Sequence, residues 1–381
     1  MDQGTIQTLC ALLRSAICGA KLEESEKDRF AAQQLSELME LANKHDIGHL
    51  LAFGLKQNNL PCESHTLFTA VYRYERINYE FDRLCSTLDE AGIPFMPLKG
   101  SILRKYYPEE WMRTSCDIDV LVREEDSEKA AALLVERCAY VRSGKGSHDI
   151  SLFAPNHVHL ELHYNLVEDG IANESAAVLS AVWETANLCT GSQYRYEMPD
   201  EMFYFYHIAH MAKHFEIGGC GLRPFIDLWI LDRMEGVNRA QRDTLLQQGK
   251  LLTFAQATRK LSQVWFDGGE MDLISQQMED YILRGGVYGS NENRITVQQQ
   301  KKGGRLKYAL SKIFIPYDTI KFHYPILQKH RWLTPIMEVR RWCKLIFCGH
   351  VRRTVKELTY NQNISSDKAD ETKRFLSSIG L

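Results

Sequence analysis

Apolar residues recur every three or four positions near the start of the chain: Leu9, Leu12, Leu13 and Ile17, then Leu35, Leu38, Leu41 and Ala42. That period belongs to amphipathic helices and predicts them across 5–60. Residues 65–91 predict one longer helix, stopped near Gly92 by a residue suited to a helix C-terminus. The texture then changes. IPFMPLKG (93–100) is a short apolar run closed by glycine. Its prolines weigh against a central strand, yet a strand feeding a glycine turn is the preferred reading. SILRKYY (101–107) predicts a short helix beginning at Ser101, with a break at Pro108. DIDVLV (117–122) alternates polar and apolar residues like a half-buried strand, and EEDSEKAAALLVERCAY (124–140) predicts a helix with acidic residues in its first turn. VRS, DISLFAP and HVHLELHYNL predict strands of a mixed or antiparallel sheet, with GKGS (144–147) as a hairpin loop that lacks Walker spacing. From 171 to about 290 the pattern is helical again. Residues 292–305 are polar and predict a linker or exposed loop, and the last ~20 residues predict a mobile tail.

This order is an α+β organisation. Residues 1–91 form an N-terminal helical segment, 92–170 a core with a small mixed sheet, 171–291 a helical domain closing a cleft, and 292–381 a basic, aromatic-rich C-terminal region. The 381 residues are 44% hydrophobic and 25% charged, which excludes a wholly disordered or collagen-like chain. No apolar run reaches the ~18 residues of a membrane span, and MDQGTIQTLC does not read as a secretory signal. The ten cysteines show no CxxC pair and no regular spacing, so a cytoplasmic protein without a disulfide framework is expected.

Asp117 and Asp119 sit two apart in a strand, so both side chains share one face, about 7 Å apart along the chain. Two carboxylates aimed together repel unless a cation lies between them, and hard oxygen ligands suit Mg²⁺. A bare DxD is also what a solvated strand end looks like. Three neighbours favour chemistry. Gly100-Ser101 lies at a strand-to-helix turn, where glycine admits close approach and helix-start amides attract anions. HVHLELH places His157, His159, Glu161 and His163 on one strand face, so Glu161 offers a third carboxylate. Lys99, Arg104, Lys105 and Arg113 supply positive charge between turn and aspartates.

The run PLKGSILRKYYPEEWMRTSCDIDVLV, with the later HLELHY, resembles the polymerase-beta-type nucleotidyltransferase superfamily. More narrowly, it resembles a bacterial family of uncharacterised nucleotidyltransferases. The resemblance is sharp over about 92–166 and looser over 35–60 and 200–235. It implies a nucleotidyltransferase core within the α+β fold, a nucleoside triphosphate substrate and two Mg²⁺ ions. By residue, Gly100 and Ser101 match the phosphate-binding turn, Asp117 and Asp119 the metal-binding pair, and Glu161 the third acidic position. The expected reaction moves a nucleoside monophosphate from an NTP to an unidentified hydroxyl-bearing acceptor and releases pyrophosphate. A nucleotide-binding regulatory or partner-binding protein that retains the fold is the alternative, and a histidine-based metal hydrolase is a third reading.

A second polar cluster, HIAHMAKHFEIGGCGLRPFIDLWIL (207–231), puts His207, His210 and His214 on one helix face beside Lys213, before a GGCG break and then Arg223 and Asp227. It reads either as satisfied polar residues or as a cleft wall. On the cleft reading Lys213, His214, Arg223 and Asp227, with Lys99, Arg113 and His163, contact the nucleotide or acceptor. The net charge of −3 hides an asymmetry: residues 301–357 hold 14 Lys and Arg against 3 Asp and Glu, a net of +11, which leaves −14 elsewhere. Aromatics interleave with these bases. The region suits nucleic acid, an anionic membrane surface, or packing against the acidic remainder of the same chain.

Overall fold

The computed structural model describes residues 3–23, 32–168, 171–347, 359–360 and 366–381. Helices α1 (Gln3–Cys18), α2 (Ala32–Lys44) and α3 (Gly48–Gln57) follow the expected apolar spacing. They bury Leu9, Leu12, Leu13, Leu38, Leu41 and Leu51 against one another. A Cβ on Gly54 would lie 2.3 Å from the Leu12 carbonyl oxygen, so the α1–α3 crossing requires glycine there. Helix α4 (Ser64–Glu90) ends as expected at Gly92, whose φ of 68° is left-handed.

The sheet is small and mixed, in the order β1-β2-β5-β4-β3. Its strands are β1 (Phe95–Pro97), β2 (Asp117–Val122), β3 (Val141–Lys145), β4 (Asp149–Phe153) and β5 (His159–His163). Strand β1 lies at an edge, where Pro97 is tolerated, and is antiparallel to β2. Strand β2 pairs in parallel with β5, and the β3–β4 hairpin completes the sheet. Between β1 and β2 runs the short helix α5 (Gly100–Leu103); between β2 and β3 runs α6 (Ser127–Cys138). Ile118, Val120, Val122, Leu160 and Leu162 form one sheet face, packed on Ile77, Phe81 and Leu84 of α4 and Ala130 and Leu134 of α6.

Period two turns the intervening residues of β2 and β5 to the opposite face, where helices cover them. The helices facing them are α8 (Asp200–Ile217) and α9 (Arg223–Asp232), which pack in turn with α7 (Asn173–Ser180), α10 (Arg239–Gln248), α11 (Leu252–Asp267) and α12 (Leu273–Leu283). Their core is continuous with that of α1–α3 and includes Phe205, Phe215, Phe225, Phe254 and Ile282. A two-stranded ribbon, β6 (Asn187–Leu188) with β7 (Tyr196–Glu197), interrupts the stretch expected to be wholly helical.

Three further expectations are corrected. Residues 292–305 are not a linker: α13 (Asn291–Lys301) starts at Ser290, whose hydroxyl caps the Asn293 amide, and buries Ile295 and Val297. The chain continues through α14 (Arg305–Ile313), α15 (Tyr317–His323) and α16 (Thr334–Phe347). The end of the chain is not a loose tail: α17 (Ser366–Ser378) packs on α13 and buries Phe375, Leu376 and Ile379. Residues 348–358 of the basic region and 361–365 of the expected tail lie outside the described residues. His157 is not on the strand face: it occupies a turn before β5 with φ 66°.

Candidate active site

The parallel pairing of β2 with β5 sets Asp117 level with His159, Asp119 with Glu161 and Leu121 with His163. All these side chains therefore project toward the helical layer. Ligand atoms of Asp119, Glu161 and His163 lie within 4.8 Å of one another, as do those of Asp117, His159 and Glu161. Glu161 belongs to both groups, so it stands within ligand distance of Asp117 on one side and of Asp119 on the other. Asp119 is buried, whereas Asp117 and Glu161 are half-buried.

Asp119 is charge-compensated from two sides. Lys99 Nζ donates to its Oδ1 at 2.9 Å, and His163 Nε2 lies 3.0 Å from the same oxygen. Burial alone would raise the Asp119 carboxyl, but Lys99 and His163 outweigh it and hold it well below the usual carboxylate range. Burial would likewise neutralise Lys99, and Asp119 reverses that. Asp117 moves the other way: burial and then the Asp119 charge push its carboxyl up. His163 also reaches Glu161 Oε2 at 3.4 Å, while its buried Nδ1 has no partner among the described residues.

Lys99 takes φ 41° and ψ −119°, the first central position of a type II′ turn closed by the Ser101 amide on the Leu98 carbonyl. Glycine is favoured at that position, and a lysine held there stores backbone strain. A Cβ added at Gly100 would press to 3.2 Å of the Ser115 Cβ, a tight contact that glycine avoids.

A cavity of about 430 Å³ opens over this face. Lys99, Gly100, Asp117, Asp119 and Glu161 line its floor; Lys213 and His214 of α8, and Arg113, Arg223 and Asp227, line its sides. Ser101 and His163 are buried outside the lining. The Ser101 amide is spent on Leu98, so it is not an open helix-start donor.

The expected ligand contacts are engaged with one another. Arg113 binds Asp227 through Nε at 2.7 Å and Nη2 at 2.8 Å, and the Tyr107 hydroxyl donates to the same carboxylate at 2.7 Å. Arg223 Nη1 donates to Asp46 and to the Thr114 carbonyl. Arg73 grips Asp46 with two nitrogens and donates to the Ser115 carbonyl, so the approach to β2 is held by fixed charges. Lys213 is ion-paired with Glu168, and burial pulls its ammonium down from the usual lysine range. His214 Nε2 lies 3.3 Å from His210 Nε2, and burial lowers both imidazoles.

Residues that the sequence pattern did not single out also line the cavity: His45, His148, Glu168 and Tyr206. Both His45 nitrogens and the Tyr206 hydroxyl are buried without a partner among the described residues. No motif announces them. The signal for Tyr206 is its helical phase with His210, Lys213 and His214 on α8.

The donor set fits a hard divalent cation. Each group pairs two carboxylates with a histidine, Asp119 and Glu161 with His163 or Asp117 and Glu161 with His159, and the carboxylate oxygens are donors that Mg²⁺ takes. Among the described residues, no helix is long and apolar enough to cross a membrane. The family model described as an uncharacterised nucleotidyltransferase matches residues 31–267. That is more than half of the chain, and the chain belongs to this family. No curated protein and no solved structure matches.

Proposed function

We propose that this nucleotidyltransferase is Mg²⁺-dependent and of the polymerase-beta type. It moves a nucleoside monophosphate from an NTP to a hydroxyl-bearing acceptor and releases pyrophosphate. The observation that carries the reading is that Asp117, Asp119 and Glu161 line one cavity, with Glu161 within ligand distance of each aspartate.

Asp117, Asp119 and Glu161 would hold the metal, with Asp119 kept ionised by Lys99 and His163. Bound there, Mg²⁺ supplies charge neutralisation on the phosphate oxygens of an in-line displacement. Lys99, Lys213 and Arg223 add positive charge around the triphosphate. The acceptor oxygen forms its bond to the α-phosphorus, the bond to the β-phosphate oxygen breaks, and pyrophosphate leaves. Glu161 faces the cavity half-exposed and takes the hydroxyl proton.

A regulatory reading has one observation in its favour: Lys99 already neutralises Asp119, as a bound cation would. Labelled ATP, GTP, CTP or UTP with Mg²⁺ and cell extract separates the two. Transfer of label to an acceptor, lost by about a hundredfold or more in Asp119→Asn, supports the enzyme. NTP binding with no labelled product in any fraction sinks it in favour of the regulator.

A further inference from the structure

Helix α16 has its polarity turned outward-in. Its inner face is anchored by polar groups: Glu338 is buried and accepts from the Ile315 amide at 2.7 Å and from Arg341 Nε at 2.8 Å. Trp342 Nε1 donates to the Ile313 carbonyl at the end of α14. The opposite face is apolar and exposed. Ile336 is 54% exposed, Val339 64% and Phe347 87%, and Cys343 is exposed between them. Spacings of three and four place these on one stripe. Trp332, 72% exposed in the turn before the helix, extends it. Arg340 and Lys344 run along one flank of the stripe, and no carboxylate lies on that exposed face.

We propose that this face docks on an anionic lipid bilayer. An apolar helix stripe flanked by bases suits the boundary between headgroups and acyl chains, where apolar side chains enter and Lys and Arg meet lipid phosphates. The charge is complementary: residues 301–357 carry a net of +11. Nucleic acid fits less well, because Ile336, Val339 and Cys343 make the middle of the stripe non-aromatic and leave Trp332 and Phe347 only at its two ends. The surface is separate from the cavity residues, so it stands or falls independently of the transfer chemistry.

The test is co-sedimentation of the full-length chain with sucrose-loaded vesicles of phosphatidylcholine alone, or of phosphatidylcholine with about a quarter phosphatidylglycerol. Binding to the anionic vesicles is expected, weakened by salt. Arg340→Glu with Lys344→Glu should lower it at least tenfold, taking roughly a factor of five per base. Val339→Asp should do the same through the apolar stripe. Each variant is first checked for native circular dichroism and an unchanged melting temperature. A variant that fails this check is replaced by Ile336→Asn or Phe347→Ser. Equal binding to both vesicle types, or none, overturns the proposal. So does salt-sensitive retention on single-stranded RNA in place of vesicles. Concentration-dependent dimerisation that the same variants abolish also overturns it, since the occupant would then be a second copy.

Discussion

The buried pair Arg113–Asp227 offers the sharpest test of what the cavity wall is for. Asp227 is fully buried, and its oxygens receive two guanidinium bonds and the Tyr107 hydroxyl. Asp227→Ala leaves the Arg113 charge buried without its counter-ion. Breaking such a pair from one side costs about 3–5 kcal/mol. The unfolding midpoint in urea at pH 7, followed by tryptophan fluorescence, should fall accordingly. Arg113→Met with Asp227→Leu removes both charges and should regain most of the loss, because no uncompensated charge is left. Acid provides a second check. Burial would raise the Asp227 carboxyl, but Arg113 dominates and its folded pKa is depressed. Its contribution is therefore full above the unfolded carboxyl value near 3.9 and is lost as pH falls further. The gap between wild type and Asp227→Ala should narrow below about pH 4. If Asp227→Ala unfolds at the wild-type urea concentration and loses only NTP binding, Asp227 is a ligand contact and the reasoning fails.

Two other perturbations read the structure directly. His163→Leu removes the bond shared with Asp119 and the contact to Glu161, and should weaken Mn²⁺ binding about 10–100-fold, read by titration without substrate; an unchanged affinity denies His163 a positioning role. Phe375→Ala should cost about 3–5 kcal/mol, because Phe375 is buried against Tyr281; unchanged stability in urea would mean that α17 does not hold the core.

Local pattern announced much of this fold, and distant pairing explains what it did not announce. The end of α4 at Gly92 and the acidic start of α6 are decisions within a few residues, and so is the existence of β2, although its alternation predicts one wet face and both faces are buried beyond Asp117. The two strands that carry the candidate site's carboxylates were also visible, as DID and as HLELH. What brings Asp119 opposite Glu161 is a parallel register between strands 42 residues apart, which neither segment encodes alone. The stretch 292–305 reads as a linker because its mean polarity is high. The helix there buries neutral polar groups instead: Asn293 donates to the Tyr281 carbonyl, and Thr296 and Gln299 are buried beside it. The tail misleads in the same way, since Phe375, Leu376 and Ile379 are few but share one face. Asp46, Glu168 and His45 belong to no motif and enter the site only through tertiary packing.

Lys99 shows where local preference and site chemistry part. Its φ of 41° is unfavourable for any residue with a Cβ, and the turn would take glycine more readily. The strain, about 1–3 kcal/mol, persists because the lysine ammonium is needed against a buried carboxylate. Comparing two variants separates these terms. Lys99→Met and Lys99→Gly both leave Asp119 without its ammonium, but only glycine relaxes the backbone. Lys99→Gly should therefore be more stable than Lys99→Met by about 1 kcal/mol, after glycine's extra freedom in the unfolded chain is set against the strain. Both should lose NTP affinity to the same extent. If Lys99→Met is the more stable of the two, the turn is unstrained and the backbone argument for this lysine is wrong. If NTP affinity survives in both, the ammonium serves Asp119 alone.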